Sequence, residues 1–134
     1  MDNLKELIKR KKHIHEERMW NIILNIGWGV KSTNYNYIRY NLWNTYTEKE
    51  INKISEFSRF KRKQLQNILK DYENKIGIKS YYNVSDDGFW DLTAHIVGLG
   101  KQWYYLVIQN PDIAKDISDN HMYVENFEYI FNKQ

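Results

Sequence analysis

The sequence predicts an all-α protein, a single compact domain of about five to seven helices, on three observations. Apolar residues recur at helical spacing through most of the chain. Helix-start signals at Thr47 and Ser85 are answered by stops at Gly77, at Gly98 and Gly100, and at Asn110-Pro111. The one stretch that would suit a strand, residues 78–84, has no second candidate of comparable length to pair with. A chain of 134 residues is one domain's worth of sequence. It buries roughly two thirds of its unfolded surface and folds without a staple.

In chain order, residues 2–27 read as a helix capped by Asp2 or Asn3. Leu4, Leu7 and Ile8 form its first apolar edge, and Met19, Trp20, Ile23 and Ile26 a second, rotated one. One helix that changes partners, continuous or kinked near His13, is the favoured form over a break there. Gly27 and Gly29 end it. A second helix is expected over residues 32–44, with Tyr37, Ile38, Asn41 and Leu42 at helical spacing. Thr47, Glu48, Lys49 and Glu50 make a capping box and open the clearest helix, striped by Ile51, Ile54, Phe57, Leu65, Ile68, Leu69 and Tyr72. Lys and Arg are expected on its other side, and its end near Gly77. Residues 78–84 read as helical or irregular. Ser85 caps a helix to about Gly98, Lys101 to Gln109 form another, and Pro111 breaks it. A short helix over residues 112–117 and a last one over residues 123–131, with Phe127, Ile130 and Phe131 inward, complete the chain.

Composition narrows function by exclusion. There is no cysteine, which excludes disulfides, thiolate metal sites and a cysteine nucleophile. No apolar run approaches the ~20 residues of a membrane span, and charges occupy the place of a signal peptide's apolar region. A cytoplasmic, non-membrane protein is expected. The net charge of +3 is mild. Eleven Tyr and five Trp imply a core built from rings whose polar ends want partners. Codon bias in an AT-rich genome is the favoured explanation of the Tyr and Asn excess, so no binding function is read from it.

The candidate sites are few. Ser85, Asp86, Asp87, Gly88 and Phe89 form a helix start in which the two acids complement the unpaired amides and positive dipole end. The paired carboxylates of Asp86 and Asp87 could instead hold a divalent cation or act as acid and base. Asp87, Asp91 and His95 at i, i+4 and i+8 share one helix face, which adds slightly to the metal reading. Capping and local pairing explain the acids without either. His13 and His15 are two apart and fail the four-residue spacing of a zinc-protease helix. His95 and His121 are isolated. No metal and no cofactor are expected. Gly98-Leu99-Gly100 lacks the Lys-Ser/Thr of a phosphate loop and serves as a helix stop. Two basic runs, Lys9, Arg10, Lys11, Lys12 and Arg59, Lys61, Lys63 with Arg62, read as solvated faces, as phosphate contacts, or as a docking surface for an acidic protein.

Ser85-Asp86-Asp87-Gly88-Phe89, then Gly100, then an aromatic-bearing helix ending at Asn110-Pro111-Asp112, resembles an uncharacterised bacterial domain family. Met19-Trp20 resembles that family's opening aromatic pair, Thr47 to Ile51 its helix start, and Glu125-Asn126-Phe127-Glu128-Tyr129 its closing acidic-aromatic element. The resemblance spans about residues 16–131 and leaves residues 1–15 as a basic helical extension. It implies a helical fold, sometimes beside a molybdate-metabolism-regulator-type domain, and no activity. Thr93 stands where an arginine is common, and Asp91 and His95 replace aromatic positions. The leading functional reading is a non-enzymatic protein-binding or regulatory module, an immunity protein that masks a toxin or effector being its sharpest form. The alternatives are a nucleic-acid-binding accessory using the basic faces, and a metal-dependent enzyme using Asp86, Asp87, Asp91 and His95.

Overall fold

Helix α3 (Glu48–Ile76) is the spine of the molecule, about 43 Å long at 1.5 Å per residue. Thr47 starts it as expected: its hydroxyl accepts from the Glu50 amide at 3.2 Å, and the Glu50 carboxylate accepts from the Thr47 amide at 3.0 Å. Gly77 ends it in the left-handed conformation, φ 72°. Thr47→Ala removes one partner of this reciprocal pair. It is expected to cost about 1 kcal/mol, read as a lower urea midpoint with unchanged slope.

The computed structural model describes residues 2–29 and 34–133. In these residues the order is α1 (Asp2–Ile26), α2 (Tyr35–Thr45), α3, α4 (Asp86–Leu99), α5 (Lys101–Gln109), α6 (Asp112–Asp119) and a closing 3-10 helix (Phe127–Phe131). No described residue belongs to an extended strand. Among them, no helix is long and apolar enough to cross a membrane. The all-α expectation is met.

Helix α1 is unbroken, and its rotated apolar edge has a simple cause. Residues 3–15 are all exposed, whereas Met19, Trp20, Ile22 and Ile23 are buried against the core. Among the described residues, the buried side chains of this helix all fall in its second half. Helix α2 begins later than the expected start: Asn34 caps it by accepting from the Tyr37 amide, and Ser32 lies outside the described residues. The last expected helix is shorter and tighter, a 3-10 turn, but Phe127, Ile130 and Phe131 do point inward.

Residues 78–84 are irregular, with turns over residues 79–82 and Ser80 and Asn83 at positive φ. Tyrosine hydroxyls hold them down. Tyr82 donates to the Leu69 carbonyl at 2.7 Å, and Tyr81 and Tyr72 both donate to Asp112. Those two bonds hold the Asp112 carboxyl below the usual range, and Tyr81's own bond to Asp112 pushes its phenol up to about 12. Neither a strand ladder nor a helix is needed to satisfy this segment.

The core is built from rings, as the composition suggests. Trp20 lies 5.2 Å from both Phe57 and Tyr104, and Trp28 lies 5.1 Å from Phe127. Gly98 matters here because a Cβ on it would come within 2.8 Å of Phe127 and 2.9 Å of Trp28. Gly100, at φ 108°, then turns the chain sharply from α4 into α5.

One expectation about α3 fails. Lys61 and Arg62 do not join the solvated face: they are 4% and 2% exposed. Lys61 follows Ile54 by seven residues and precedes Leu65 by four, so helical periodicity itself turns it inward. Its ammonium reaches Glu16 at 3.8 Å and lies over the Phe57 and Tyr104 rings. Burial pulls its pKa down, with Glu16 opposing.

Candidate functional site

A groove of about 810 Å³ opens where the middle of α3, the start of α4 and the segment around the closing 3-10 helix meet. Helix α3 supplies Arg59, Arg62 and Lys63; α4 supplies Asp87, Gly88, Trp90 and Asp91 after Ser85; the last segment supplies Tyr123, Glu125, Asn126, Glu128 and Tyr129. Three stretches far apart in sequence are brought to one place.

Its floor is a buried ion pair. Arg62 Nε donates to Glu128 Oε2 at 2.5 Å, with the two side chains 2% and 8% exposed. Arg59 adds its charge from the rim, 3.7 Å from the other Glu128 oxygen. The Arg62 guanidinium also stacks on Trp90, 3.5 Å from the ring centroid. A relay then locks it in place: Arg62 Nη1 donates to Gln66, Gln66 donates to Thr93, and Thr93 donates to the Phe89 carbonyl. Guanidinium planarity suits this combination of fork and stack, which a lysine cannot reproduce. Trp90 is still 48% exposed and Tyr129 55%, so two aromatic surfaces remain open at the groove.

Carboxylates line it as well. Burial raises the Asp91 carboxyl above its usual range, and the neighbouring Glu125 and Asp87 charges push it further. The Asn126 backbone amide opposes the rise. Asn126 presents that amide from a left-handed conformation, φ 76°. Burial, then the charges of Asp91 and Glu125, likewise raise the Tyr123 phenol. The groove therefore carries cations from α3 and carboxylates from α4 and the last segment, with Trp90, Tyr123 and Tyr129 in the same lining.

The row Asp87, Asp91, His95 runs from solvent into the core. Asp87 is exposed, Asp91 is half-buried and His95 is buried. His95 Nδ1 accepts from Trp28 Nε1 at 2.9 Å and from the Val124 amide at 3.2 Å, which places the ring proton on Nε2. Among the described residues, no group of three His, Asp or Glu side chains is placed to hold a metal ion. His95 acts as a buried tie between α4, Trp28 and the C-terminal segment.

That tie gives the protein a pH dependence. Burial lowers the His95 imidazole to about 4, whereas the unfolded side chain titrates at about 6.5. Between those values the unfolded chain binds a proton that the folded chain does not. Stability from this source is whole above about 6.5, falls as pH drops, and levels off below about 4. The loss is on the order of 3 kcal/mol. Urea midpoints taken across that window should show the slope in the native chain and lose it in His95→Gln; an equal slope in both would refute the assignment.

Residues 14–134 match the family described as "Protein of unknown function (DUF4240)". The chain belongs to that family. No curated protein and no solved structure matches it. In this DUF4240 chain the match begins inside α1, so residues 1–13 precede it.

The groove gathers only part of what the sequence singles out. Ser85, Asp87, Gly88 and Asp91 line it with Arg59, Arg62 and Lys63. Ser85 caps α4, its hydroxyl accepting from the Gly88 amide at 3.1 Å. A Cβ at Gly88 would press on Val84 at 3.1 Å and on the capping Ser85 hydroxyl at 3.3 Å, so a small residue suits that corner. Asp86 and Phe89 face a separate depression with Lys70 and Tyr82. Gly100 shapes the α4–α5 corner, and Lys61 belongs to the α1–α5 side. Lys9, Arg10, Lys11 and Lys12 are exposed on α1, away from the groove lining. The expected Arg59–Lys63 docking patch is thus corrected: Lys61 and Arg62 are buried and engaged, leaving Arg59 and Lys63 as its exposed cations. Trp90 and Glu128 are site residues that sequence reasoning does not single out. The available signal was the acidic-aromatic run at residues 125–129, whose Glu128 needs a buried cation.

Proposed function

We propose that this DUF4240 protein is a non-enzymatic protein-binding module that takes a charged polypeptide segment of its partner into the groove. The observation that carries the reading is the exposed Trp90 and Tyr129 beside the locked Arg62–Glu128 pair. Aromatic residues and arginine dominate the energetic centres of protein interfaces. A rigid floor lowers the ordering cost of binding. The groove's cations would meet a partner's carboxylates and its carboxylates the partner's lysines or arginines, which sets register and specificity. The sharper form of the reading is a regulator or immunity protein that masks a toxin or effector.

The nucleic-acid reading draws less support from this groove. Its cations Arg59, Arg62 and Lys63 share it with the carboxylates Asp87, Asp91, Glu125 and Glu128, which repel phosphates. Salt-dependent binding of DNA or RNA at low ionic strength would reverse that ranking.

The test is co-expression with the product of the neighbouring gene, tagged, with the complex isolated and weighed. Lys63→Glu and Tyr129→Ala alter exposed positions and should each weaken the complex at least 10-fold while thermal melting stays close to native. A clean monomer that captures nothing, or a complex indifferent to both changes, would end the proposal.

A further inference from the structure

The first half of α1 is an exposed helical arm, whose Lys12 and His15 line a shallow depression with Lys53, Glu56 and Phe60 of α3. Residues 3–15 are exposed throughout, a length of about 20 Å. Leu4, Leu7, Ile8 and Ile14 are 63%, 56%, 57% and 66% exposed. At helical spacing the four fall within an arc of about 120°, and Lys11 sits in the middle of it. Lys12 and Lys5 flank this arc, and Lys9 lies on the opposite side. Over the arm Lys5, Lys9, Arg10, Lys11 and Lys12 face the single acid Glu6. A solvated helix does not require four large aliphatic side chains on one edge.

We infer that residues 3–15 are a docking helix for an apolar groove on an acidic protein partner, with a partner carboxylate facing Lys11. The occupant follows from charge and shape together. A second copy of this chain would bring two basic runs together, and their like charges would repel. A lipid surface would have to take Lys11 down with the leucines, and the arm has no Trp or Phe to anchor it there. A protein groove can answer the central cation with one carboxylate while its acidic rim meets the flanking lysines. Apolar anchors at i, i+3 and i+4 are how an amphipathic helix is read by such a groove. The inference rests on the protein-binding reading but uses a surface separate from the groove around Arg62.

The experiment uses the full chain with a photo-crosslinking amino acid at position 8, expressed in its own host. Adducts are identified by mass spectrometry, and vesicles of equal phosphatidylglycerol and phosphatidylcholine are the lipid probe. The expected result is an adduct on one protein within a segment that carries Asp or Glu. It should fall at least 10-fold in Lys11→Glu and be restored when the mapped carboxylate is changed to lysine. It should persist in Lys63→Glu and Tyr129→Ala, so the two surfaces fail separately. Absence of an adduct, indifference to Lys11→Glu, or cosedimentation with the vesicles in place of a protein adduct would overturn the inference.

Discussion

Replacing Glu128 with alanine is expected to cost about 3–5 kcal/mol of folding stability, because it strands a buried guanidinium without its counter-charge. Arg62 is 2% exposed and held by Gln66 and Trp90, so it cannot swing out to water without breaking the relay to Thr93. Arg59 would remain nearby, and with Glu128 gone the two cations repel each other. Glu128→Gln keeps the shape and one acceptor but loses the charge, and should fall between native and alanine. The double change Arg62→Met with Glu128→Leu should recover much of the loss, since a well-packed apolar pair often replaces a buried ion pair without penalty. Urea unfolding of the four proteins checks the order. If Glu128→Ala is no less stable than the double variant, the pair is not the buried lock described above.

Phe127→Ala is expected to cost a similar amount, about 3–5 kcal/mol. The ring is 1% exposed and fills the space above Gly98, against Trp28 at 5.1 Å and Phe131 at 5.6 Å. Removing it opens a cavity lined by rigid rings, which cannot collapse as a cluster of leucines might. The effect reaches the groove because Glu128 is the next residue: loosening the 3-10 turn frees the carboxylate that pins Arg62. Phe127→Leu should retain most of the stability. Combining Phe127→Ala with Glu128→Ala should cost less than the sum, since both release the same segment. Thermal melts of the two single variants and the double would show strict additivity if that coupling is absent.

Much of the fold was legible because its signals are local. The Thr47–Glu50 capping box, Gly77, Ser85 and Asn110-Pro111 each act within a turn of their own position, and each begins or ends a helix where expected. Periodicity found the buried stripe of α3 but charge misled its reading: Lys61 and Arg62 fall on the buried face by spacing, yet were assigned outward by residue type. What turns them inward is long-range. Glu128 is 66 residues from Arg62, and Trp90 reaches Arg62 from another helix. Likewise Asp87, Asp91 and His95 do share a helix face, but only the fold decides that the face dives into the core after Asp91. His95 is explained by Trp28, 67 residues away, which no spacing rule connects to it. Residues 85–89 were legible by their capping chemistry, and the place of Ser85 and Gly88 on the wall of a groove came only from packing.

The central claim is that the partner enters the groove formed by α3, α4 and the C-terminal segment. Amide hydrogen exchange on the isolated complex with the neighbouring gene's product tests it most directly. The account predicts slowed exchange at residues 85–91 and 121–129, with the effect abolished in Tyr129→Ala. Protection confined to residues 3–15, or to the α2 surface, with the groove segments exchanging as in the free protein, would contradict it.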